Sequence, residues 1–266
     1  MSESELLTAI DGPIARITFN RPHVRNALTG GMIALMTSFL EEVADDPSVR
    51  CLVMSGAGDH FMAGGDIGDF EAALARSRHE RAISLRRTAE RALPLFDAMA
   101  RLSVPIVAKV RGAVAGASIG WVAAADIALI SDTSRFVFAH IHLGLSPDAG
   151  LTYYLPRVVG ERKARELILL GARIDAKEAL AIGLANRLHP DAELDAETEK
   201  LLARLAEGPA VAIRRSRRLL SQSLDNSREE QMALEVEAVA ACVVSDDLVE
   251  GVRAFAEKRK PVFTRR

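Results

Sequence analysis

The sequence predicts an α/β fold that becomes mainly helical towards its C-terminus. Up to about residue 160, short apolar runs alternate with segments of helical periodicity, and such alternation is typical of α/β domains. Beyond residue 160 helical periodicity dominates, and the capping-box patterns Asp175–Glu178 and Ser227–Glu230 mark two helix starts. Since no Pro-, Gly- or Ser-rich linker divides the chain, we expect these helices to pack on the same core or on a neighbouring subunit.

Local patterns predict six strands and one helix of the first half by range, and helical stretches between the later strands. Asp11-Gly12 is a typical hairpin turn, and it joins predicted strands over residues 6–10 and 14–19. Apolar residues at helical spacing predict a helix over residues 27–43. Four further short apolar runs are predicted to be strands: 51–54, 106–110, 127–131 and 135–138.

The later segments and the charge clusters follow from the same kind of pattern. Six helices are predicted after the strands: 160–170, 175–183, 192–206, 210–223, 227–243 and 246–257. Arginine clusters at Arg76–Arg91 and Arg214–Arg218 are interpreted as solvated helix faces. The basic tail Arg253–Arg266 is either an ordinary C-terminus or a site for an anionic ligand.

Composition bounds the function. The chain has 266 residues, 34 Lys and Arg against 36 Asp and Glu, and only 5% aromatic residues, which argues against bulk nucleic-acid binding. The longest uncharged run, 112–125, is too short to span a bilayer, and no secretory signal is visible, so a cytoplasmic protein is expected. Cys51 and Cys242 lie in apolar stretches and are expected to be reduced thiols.

Two glycine-rich loops carry the strongest chemical signal. Phe61–Ile67 and Val110–Gly120 each follow a predicted strand and precede a predicted helix. Free N–H groups at such turns can bind negative charge, and two that point to one place form an oxyanion hole for a carbonyl that becomes an enolate. The alternative is that both loops are merely tightly packed strand-to-helix turns.

Other motifs fall short of a site. His140 and His142 share strand spacing, but no further metal ligands accompany them. Gly56-Ala-Gly58 lacks the third glycine of a dinucleotide fingerprint. Ser118 fits G-x-S-x-G without a convincing histidine partner, so we interpret it as a packing residue. We therefore expect neither a metal nor a separate cofactor.

The motifs resemble the crotonase family, also called the enoyl-CoA hydratase/isomerase superfamily. Six segments are similar to family elements in the right order: 16–22 with 26–28, 61–67, 110–120, 143–150, 176–184 and 254–261. The resemblance implies a ββα spiral core over residues 1–195 and a C-terminal helical trimerisation region over 196–266. It also implies an acyl-CoA thioester substrate, with coenzyme A as part of that substrate, and a homotrimer or a dimer of trimers.

The resemblance also implies roles for individual residues. By motif position, the oxyanion N–H groups belong to Ala63 and Ala117, and Arg25 approaches the CoA phosphates. The remaining substrate-binding residues implied are Asp66 and Ile67 near the adenine, Phe255 and Lys258 near a CoA bound mainly by a neighbouring subunit, and Ala27, Gly64 and Gly116.

The sequence departs from the family pattern at the reacting centre. Hydratases of this family resemble one another in having two glutamates, and Gly120 and His140 stand at the matching positions. Asp148, in Ser146–Gly150, is the candidate acid/base, and the alternative is a helix cap. His140 is either a second proton-transfer group or a structural histidine. The missing side chain at Gly120 predicts a roomier acyl pocket.

These departures favour an isomerase that shifts a double bond in an enoyl-CoA thioester. One base can remove a proton from one carbon and return it to another while the oxyanion hole holds the dienolate. Water addition is less suited to this sequence, because it needs a group that activates water and a way to protonate the α-carbon, and neither family glutamate is present. The alternatives are a hydratase or acyl-CoA hydrolase of the same family, and a CoA-binding protein without catalysis.

Overall fold

The computed structural model describes residues 4–263, except for the side chain of Asp69. A six-stranded sheet has the order β1-β2-β3-β4-β6-β9. Its strands are β1 (Leu6–Asp11), β2 (Ile14–Phe19), β3 (Cys51–Gly56), β4 (Ile106–Val110), β6 (Ile127–Ser131) and β9 (Arg187–His189). The predicted hairpin is confirmed, because β1 and β2 pair antiparallel with Leu6 opposite Phe19, whereas every later neighbour in this sheet is parallel.

The structure also contains a second sheet, which has three strands. It has the order β5-β7-β8, formed by β5 (Ala113–Ala115), β7 (Arg135–Val137) and β8 (Arg173–Asp175). Strand β5 pairs parallel with β7, which pairs antiparallel with β8. This small sheet places the second glycine-rich loop beside the segment that leads to His140.

Twelve helices are described. They are α1 (Gly30–Asp45), α2 (Ile67–Leu74), α3 (Arg78–Arg91), α4 (Leu93–Arg101), α5 (Ala117–Ala124), α6 (Leu151–Val159), α7 (Glu161–Leu169), α8 (Ala176–Ala181), α9 (Asp191–Ala206), α10 (Ala210–Gln222), α11 (Arg228–Val243) and α12 (Asp246–Ala256). Helix α1 begins three residues later than predicted, because Thr29 caps it by accepting a hydrogen bond from the Met32 N–H. The capping box at Ser227 is confirmed in full, whereas at Asp175 only the cap itself forms.

The central sheet is buried on both faces. Strand β3 shows this by alternation: Leu52 and Met54 join the main apolar core, whereas Cys51 and Val53 pack with Leu202 and its neighbours on α9. Helix α9 therefore belongs to the sheet core. The boundary that we expected between residues 195 and 196 falls inside this helix, so it does not separate two sets of elements.

The interpretation of the arginine cluster on α10 as a solvated face is confirmed for Arg215 and Arg218, which are exposed, and is wrong for Arg214 and Arg217. Arg217 is buried, pairs with Asp126 at 2.7 Å, and donates to the backbone carbonyls of Met99 and Leu102. Arg214 donates to the Val49 carbonyl at 2.9 Å. These arginines attach α10 to the core, because a buried guanidinium must be matched by acceptors on all sides.

The cysteine and membrane expectations have simple structural counterparts. Cys51 and Cys242 are free thiols. Burial raises the pKa of the Cys51 thiol to about 12. Among the described residues, no helix combines the length and the apolar character that crossing a membrane requires.

Candidate active site

The two glycine-rich loops are joined edge to edge. Met62 and Val114 form a parallel bridge, in which the Met62 N–H donates to the Ala113 carbonyl at 3.2 Å and the Ala115 N–H donates to the Met62 carbonyl at 3.1 Å. The buried Ser118 hydroxyl lies within 2.8 Å of the Met62 carbonyl oxygen and accepts a hydrogen bond from the Ala115 N–H at 2.9 Å. Ser118 thus fastens one loop to the other, as expected of a packing residue.

Ala63 does not supply the first oxyanion donor. Its N–H already donates to the Arg25 carbonyl at 3.0 Å, so our assignment of this group was wrong. Gly65 is the better candidate. Leu28 pairs with this segment through the Gly64 carbonyl and the Asp66 N–H, and in a parallel bridge the N–H of the residue between them points to the opposite edge. Within residues 4–263, the Gly65 N–H has no hydrogen-bond acceptor.

Ala117 remains the candidate for the second oxyanion donor, as the family resemblance implied. Ala117 is the first residue of α5, so its N–H has no acceptor inside the helix, and the described part of the chain offers it none elsewhere. The neighbouring Gly116 N–H is occupied, since it donates to the Val137 carbonyl at 3.0 Å. The Ala117 N–H is therefore free to bind an oxygen.

Gly64 and Gly116 bring the two loops into contact. Both have left-handed backbone angles, with φ of +88° and +56°. A Cβ atom on Gly64 would lie 2.9 Å from the Ala115 carbonyl oxygen, which is too close for any side chain. A Cβ atom on Gly116 would lie 4.0 Å from the Gly64 Cα. Glycine is required at position 64 because the backbones approach closely, and it is favoured at position 116 because of the positive φ. The approach of the two segments brings the free N–H groups onto adjoining stretches of backbone.

Asn26 is a functional-site residue for which the sequence analysis assigned no role. It is fully buried, has a left-handed φ of +58°, and donates from Nδ2 to the carbonyls of Ala57 and His60 at 3.0 and 2.7 Å. Its Oδ1 accepts from the Arg21 N–H. Asn26 therefore holds the turn that carries the Arg25 carbonyl, and the left-handed φ is a conformation that asparagine adopts more readily than most residues.

Asp66 is occupied by structural contacts. Its Oδ1 caps α2 by accepting from the Gly68 N–H at 3.0 Å, and its Oδ2 accepts from Arg21 Nη1 at 2.8 Å. The hydrogen bond from Arg21 holds the pKa of the Asp66 carboxyl below its usual range. Both oxygens thus have partners in the protein, and the adenine contact implied for Asp66 stays a prediction.

The other residues expected near CoA lie around the same turn. Arg25 is exposed and left-handed, with a φ of +52°. Ile67 is half exposed at the start of α2, whereas Ala27 is buried and offers a ligand little surface. Their contacts with CoA stay predictions.

His140 and Asp148 meet beside the second loop. The His140 Nε2 lies 3.2 Å from the Asp148 Oδ1, with the imidazole 10% exposed and the carboxylate 55% exposed. The imidazole also lies against Gly116, 3.9 Å from the position of a Cβ there. The buried ring therefore orients a carboxylate that solvent and substrate can reach. His142 turns elsewhere and contacts the Gly171 carbonyl.

Asp148 is not a helix cap. The cap residue of α6 is Gly150, and no side chain caps that helix. Ala149 and Gly150 are both left-handed, with φ of +51° and +69°, so the chain turns sharply directly after Asp148. The capping alternative for Asp148 is therefore wrong, and its side chain is bound instead to His140.

The predicted roomier pocket at Gly120 is also wrong. A Cβ atom on Gly120 would lie only 2.3 Å from the Ala149 carbonyl oxygen. The backbone that follows Asp148 therefore occupies the space that a side chain at position 120 would fill. The missing glutamate and the presence of Asp148 are two parts of one arrangement, because the turn could not approach α5 if residue 120 had a side chain.

A cleft of about 520 Å³ borders this site. Its walls come from α2, α3 and the segment before Asp148, and they are mostly aliphatic or aromatic: Ile67, Phe70, Glu71, Ala73, Leu74, Arg81, Leu85, Leu143, Gly144 and Leu145. Ile67 is the last residue of the first glycine-rich loop, and Leu145 lies three residues before Asp148. The cleft is therefore suited to an apolar chain whose end lies at the loops.

Phe255 and Lys258 are not brought to this cleft within one copy of the chain. Phe255 is largely exposed and lines a separate cleft of about 360 Å³ among α10, α11 and α12. Lys258, with a left-handed φ of +54°, follows the end of α12. In the same tail, Arg259 pairs with Glu250 and Lys260 pairs with Glu207. Contact of Phe255 or Lys258 with a neighbour's CoA stays a prediction.

Comparisons with known proteins agree with this geometry. The sequence model of the enoyl-CoA hydratase/isomerase family matches residues 9–266. A protein of Rhodobacter capsulatus named probable enoyl-CoA hydratase is 35% identical over 100% of both chains. The trans-2-decenoyl-[acyl-carrier-protein] isomerase of Streptococcus mutans is 31% identical over 99% of both chains. The 1,2-epoxyphenylacetyl-CoA isomerase of Escherichia coli is 31% identical over 97% of this chain and 98% of its own.

A solved structure supports the fold over the whole length. The enoyl-CoA hydratase of Mycobacterium smegmatis is 29% identical to this chain and has a TM-score of 0.89. The match covers 98% of this chain and 99% of that protein. The crotonase-like α/β fold expected from the motifs is thereby confirmed. The chain belongs to the enoyl-CoA hydratase/isomerase family.

Proposed function

We propose that this protein isomerises an enoyl thioester by moving its double bond, with Asp148 as the acid/base. The observation that carries the proposal is an exposed carboxylate beside the second glycine-rich loop: Asp148 lies 3.2 Å from the buried His140, and α5, which contains Gly120, has no carboxylate. One carboxylate suffices for a 1,3-proton transfer, whereas the family's hydratases resemble one another in having two glutamates.

The proposed reaction uses the backbone for activation and the side chain for the proton. The thioester oxygen binds the N–H groups of Gly65 and Ala117, which stabilise the charge that develops on it. The Asp148 carboxylate removes a proton from the γ-carbon and returns it to the α-carbon, or the reverse, through a dienolate. His140 orients the carboxylate through its Nε2. The product has the same mass as the substrate.

The cleft supports an acyl chain as the reacting group. Its wall is mainly aliphatic, and such a wall binds a hydrocarbon chain by removing apolar surface from water. Two relatives whose names specify isomerases act on thioesters, one carried by coenzyme A and one by an acyl carrier protein. We therefore include both kinds of thioester in the proposal.

Self-association is part of the proposal as well. The helices α10, α11 and α12 and the short turns between them expose many large apolar side chains: Leu220, Leu224, Met232, Val236, Val239, Val243, Val244, Leu248, Val249, Val252 and Phe255. Exposed apolar surface of this extent typically marks an interface. A homotrimer or a dimer of trimers would cover it, and light scattering of the purified protein measures the mass directly.

The test is a panel of enoyl-CoA thioesters, with products identified by mass and chromatography. Wild-type protein should give an isomer of unchanged mass. Asp148→Asn should lower kcat by about 10²–10⁴-fold, because the amide cannot accept the proton. Asp97→Asn, an exposed aspartate on α4, is the matched control and should leave kcat unchanged. Full isomerase activity in Asp148→Asn would overturn the assignment of the base.

Hydration is the second candidate, and a specific observation favours it. A histidine that contacts a carboxylate can activate water, and His140 and Asp148 form such a pair. A product heavier by one water molecule, lost in His140→Gln, would identify hydration in place of isomerisation.

A further inference from the structure

Helix α3 is a positively charged helix that hardly contributes to the core. It contains five arginines and two glutamates, so it carries a formal charge of +3 in a chain whose total is −2. No residue of α3 is buried. A helix that buries so little apolar surface gains little stability from packing. We therefore expect its role to lie in its exposed, charged surface.

Most of this charge is not neutralised within the chain. Glu80 is used in the capping box with Ser77, and Glu90 pairs with Arg86. Among the residues that the structure describes, no acidic side chain forms an ion pair with the other four arginines of α3: Arg78, Arg81, Arg87 and Arg91. These guanidinium groups are available to an anionic partner.

The charged helix also borders the acyl cleft. Arg81 and Leu85 both line it. Since an α-helix rises 1.5 Å per residue, Arg91 lies roughly 15 Å further along the axis than Arg81. The positive surface therefore begins at the cleft and extends well away from it.

We propose that α3 docks an acidic acyl carrier protein, which presents its thioester-linked acyl chain to the cleft. This inference rests on the proposed function, because it names the carrier of that substrate. The aliphatic cleft identifies the bound group as an acyl chain, so the anionic body beside it is whatever carries that chain. Coenzyme A concentrates its charge in one compact nucleotide. A surface roughly 20 Å long is better matched by the acidic face of a protein.

The test compares one acyl chain on two carriers. The same enoyl group is attached to coenzyme A and to a bacterial acyl carrier protein of net negative charge, and kcat/KM is measured for both. The variant is Arg87→Gln with Arg91→Gln, which removes two unpaired charges from residues that do not line the cleft. The control is Arg215→Gln with Arg218→Gln, which removes two exposed arginines from α10.

We expect the α3 variant to lose roughly fivefold in kcat/KM with the carrier-protein thioester at low salt, with little change for the CoA thioester. The difference should vanish near 1 M salt, where the Debye length is about 3 Å. The control should match wild type on both substrates. Equal losses on both carriers, or no loss on either, would overturn the docking proposal.

A binding measurement separates this proposal from the proposed reaction. Carrier protein loaded with a saturated acyl chain cannot isomerise, so its Kd for wild type and for the α3 variant reports docking alone. A protein that binds this probe through α3 but isomerises neither thioester would sink the isomerase and keep the docking surface. Equal Kd values for wild type and variant would sink the docking surface alone.

Discussion

Gly120→Ala is the sharpest test of the site, because it adds one methyl group where the backbone after Asp148 lies. The added Cβ would stand 2.3 Å from the Ala149 carbonyl oxygen, and ordinary contacts begin near 3.4 Å. Either α5 or the turn at Ala149 must move by about 1 Å. Because Ala149 follows Asp148 directly, the movement displaces the proposed base.

Two opposing contributions decide the stability of Gly120→Ala. Alanine favours a helix interior over glycine by about 1 kcal/mol, whereas overpacking a well-filled interior costs about 1–3 kcal/mol. The free energy of unfolding should therefore fall by at most about 2 kcal/mol, and the protein should stay folded. Activity should suffer far more, because a displacement of about 1 Å can cost roughly 100-fold in rate.

The assay measures kcat/KM on an enoyl thioester together with denaturant unfolding. Gly251→Ala is the matched control, since Gly251 also lies inside a helix and its Cβ would meet only Phe263 at an ordinary 3.7 Å. We expect the control to be as active as wild type and slightly more stable. A Gly120→Ala protein with wild-type activity would refute the idea that this contact positions Asp148. The same contact predicts that Gly120→Glu does not create a hydratase.

Two further predictions concern stability. Arg217→Met should lower the free energy of unfolding, measured in urea, by about 3 kcal/mol, because Asp126 loses its cation. The control Arg218→Met changes an exposed residue and should stay within about 0.5 kcal/mol of wild type. Equal effects of the two substitutions would contradict the argument from burial. Hydrogen bonds led by that from Arg259 lower the pKa of Glu250 to about 2, so its contribution is complete above the ordinary value of 4.5 and is lost as the pH falls towards 2. The rate of amide hydrogen exchange in the tail, corrected for intrinsic rates, should increase in the wild-type protein as the pH falls from 4.5 towards 2. In Glu250→Gln this rate should be fast over the whole range.

Local signals in the sequence predicted most strands and helices well. Strands over 106–110 and 127–131 have the predicted bounds, because each is a short apolar run between polar or glycine-rich turns. The start of α1 was missed because Asn26 and Arg25 adopt left-handed angles, which are stabilised in part by partners far along the chain, such as the Ala57 and His60 carbonyls. The sequence left open whether α9 packs on the same core or on a neighbouring subunit, because the face that packs on β3 is set by a contact about 150 residues apart in the chain.

The site was predictable at the level of segments and less so at the level of atoms. Both loops, and His140 and Asp148 as separate residues, could be located from motifs, whereas the contact between the two side chains could not. Which N–H in the first loop is free could not, since Ala63 is satisfied by the Arg25 carbonyl, a non-local partner. Gly120 likewise reads as a missing side chain in the sequence, and only the three-dimensional arrangement reveals that the Ala149 carbonyl takes its place.

The two proposed donors are main-chain atoms, and this has an evolutionary consequence. Any residue except proline supplies an N–H, so substitutions at positions 65 and 117 alter shape without deleting the donor. The groups at positions 120, 140 and 148 are side chains, or the lack of one, and a single codon change can alter each. In the proposed mechanism, the backbone donors that would activate the thioester tolerate substitution, whereas the side chains that would select the reaction are easily exchanged. New reactions can arise on this scaffold by replacing those side chains alone.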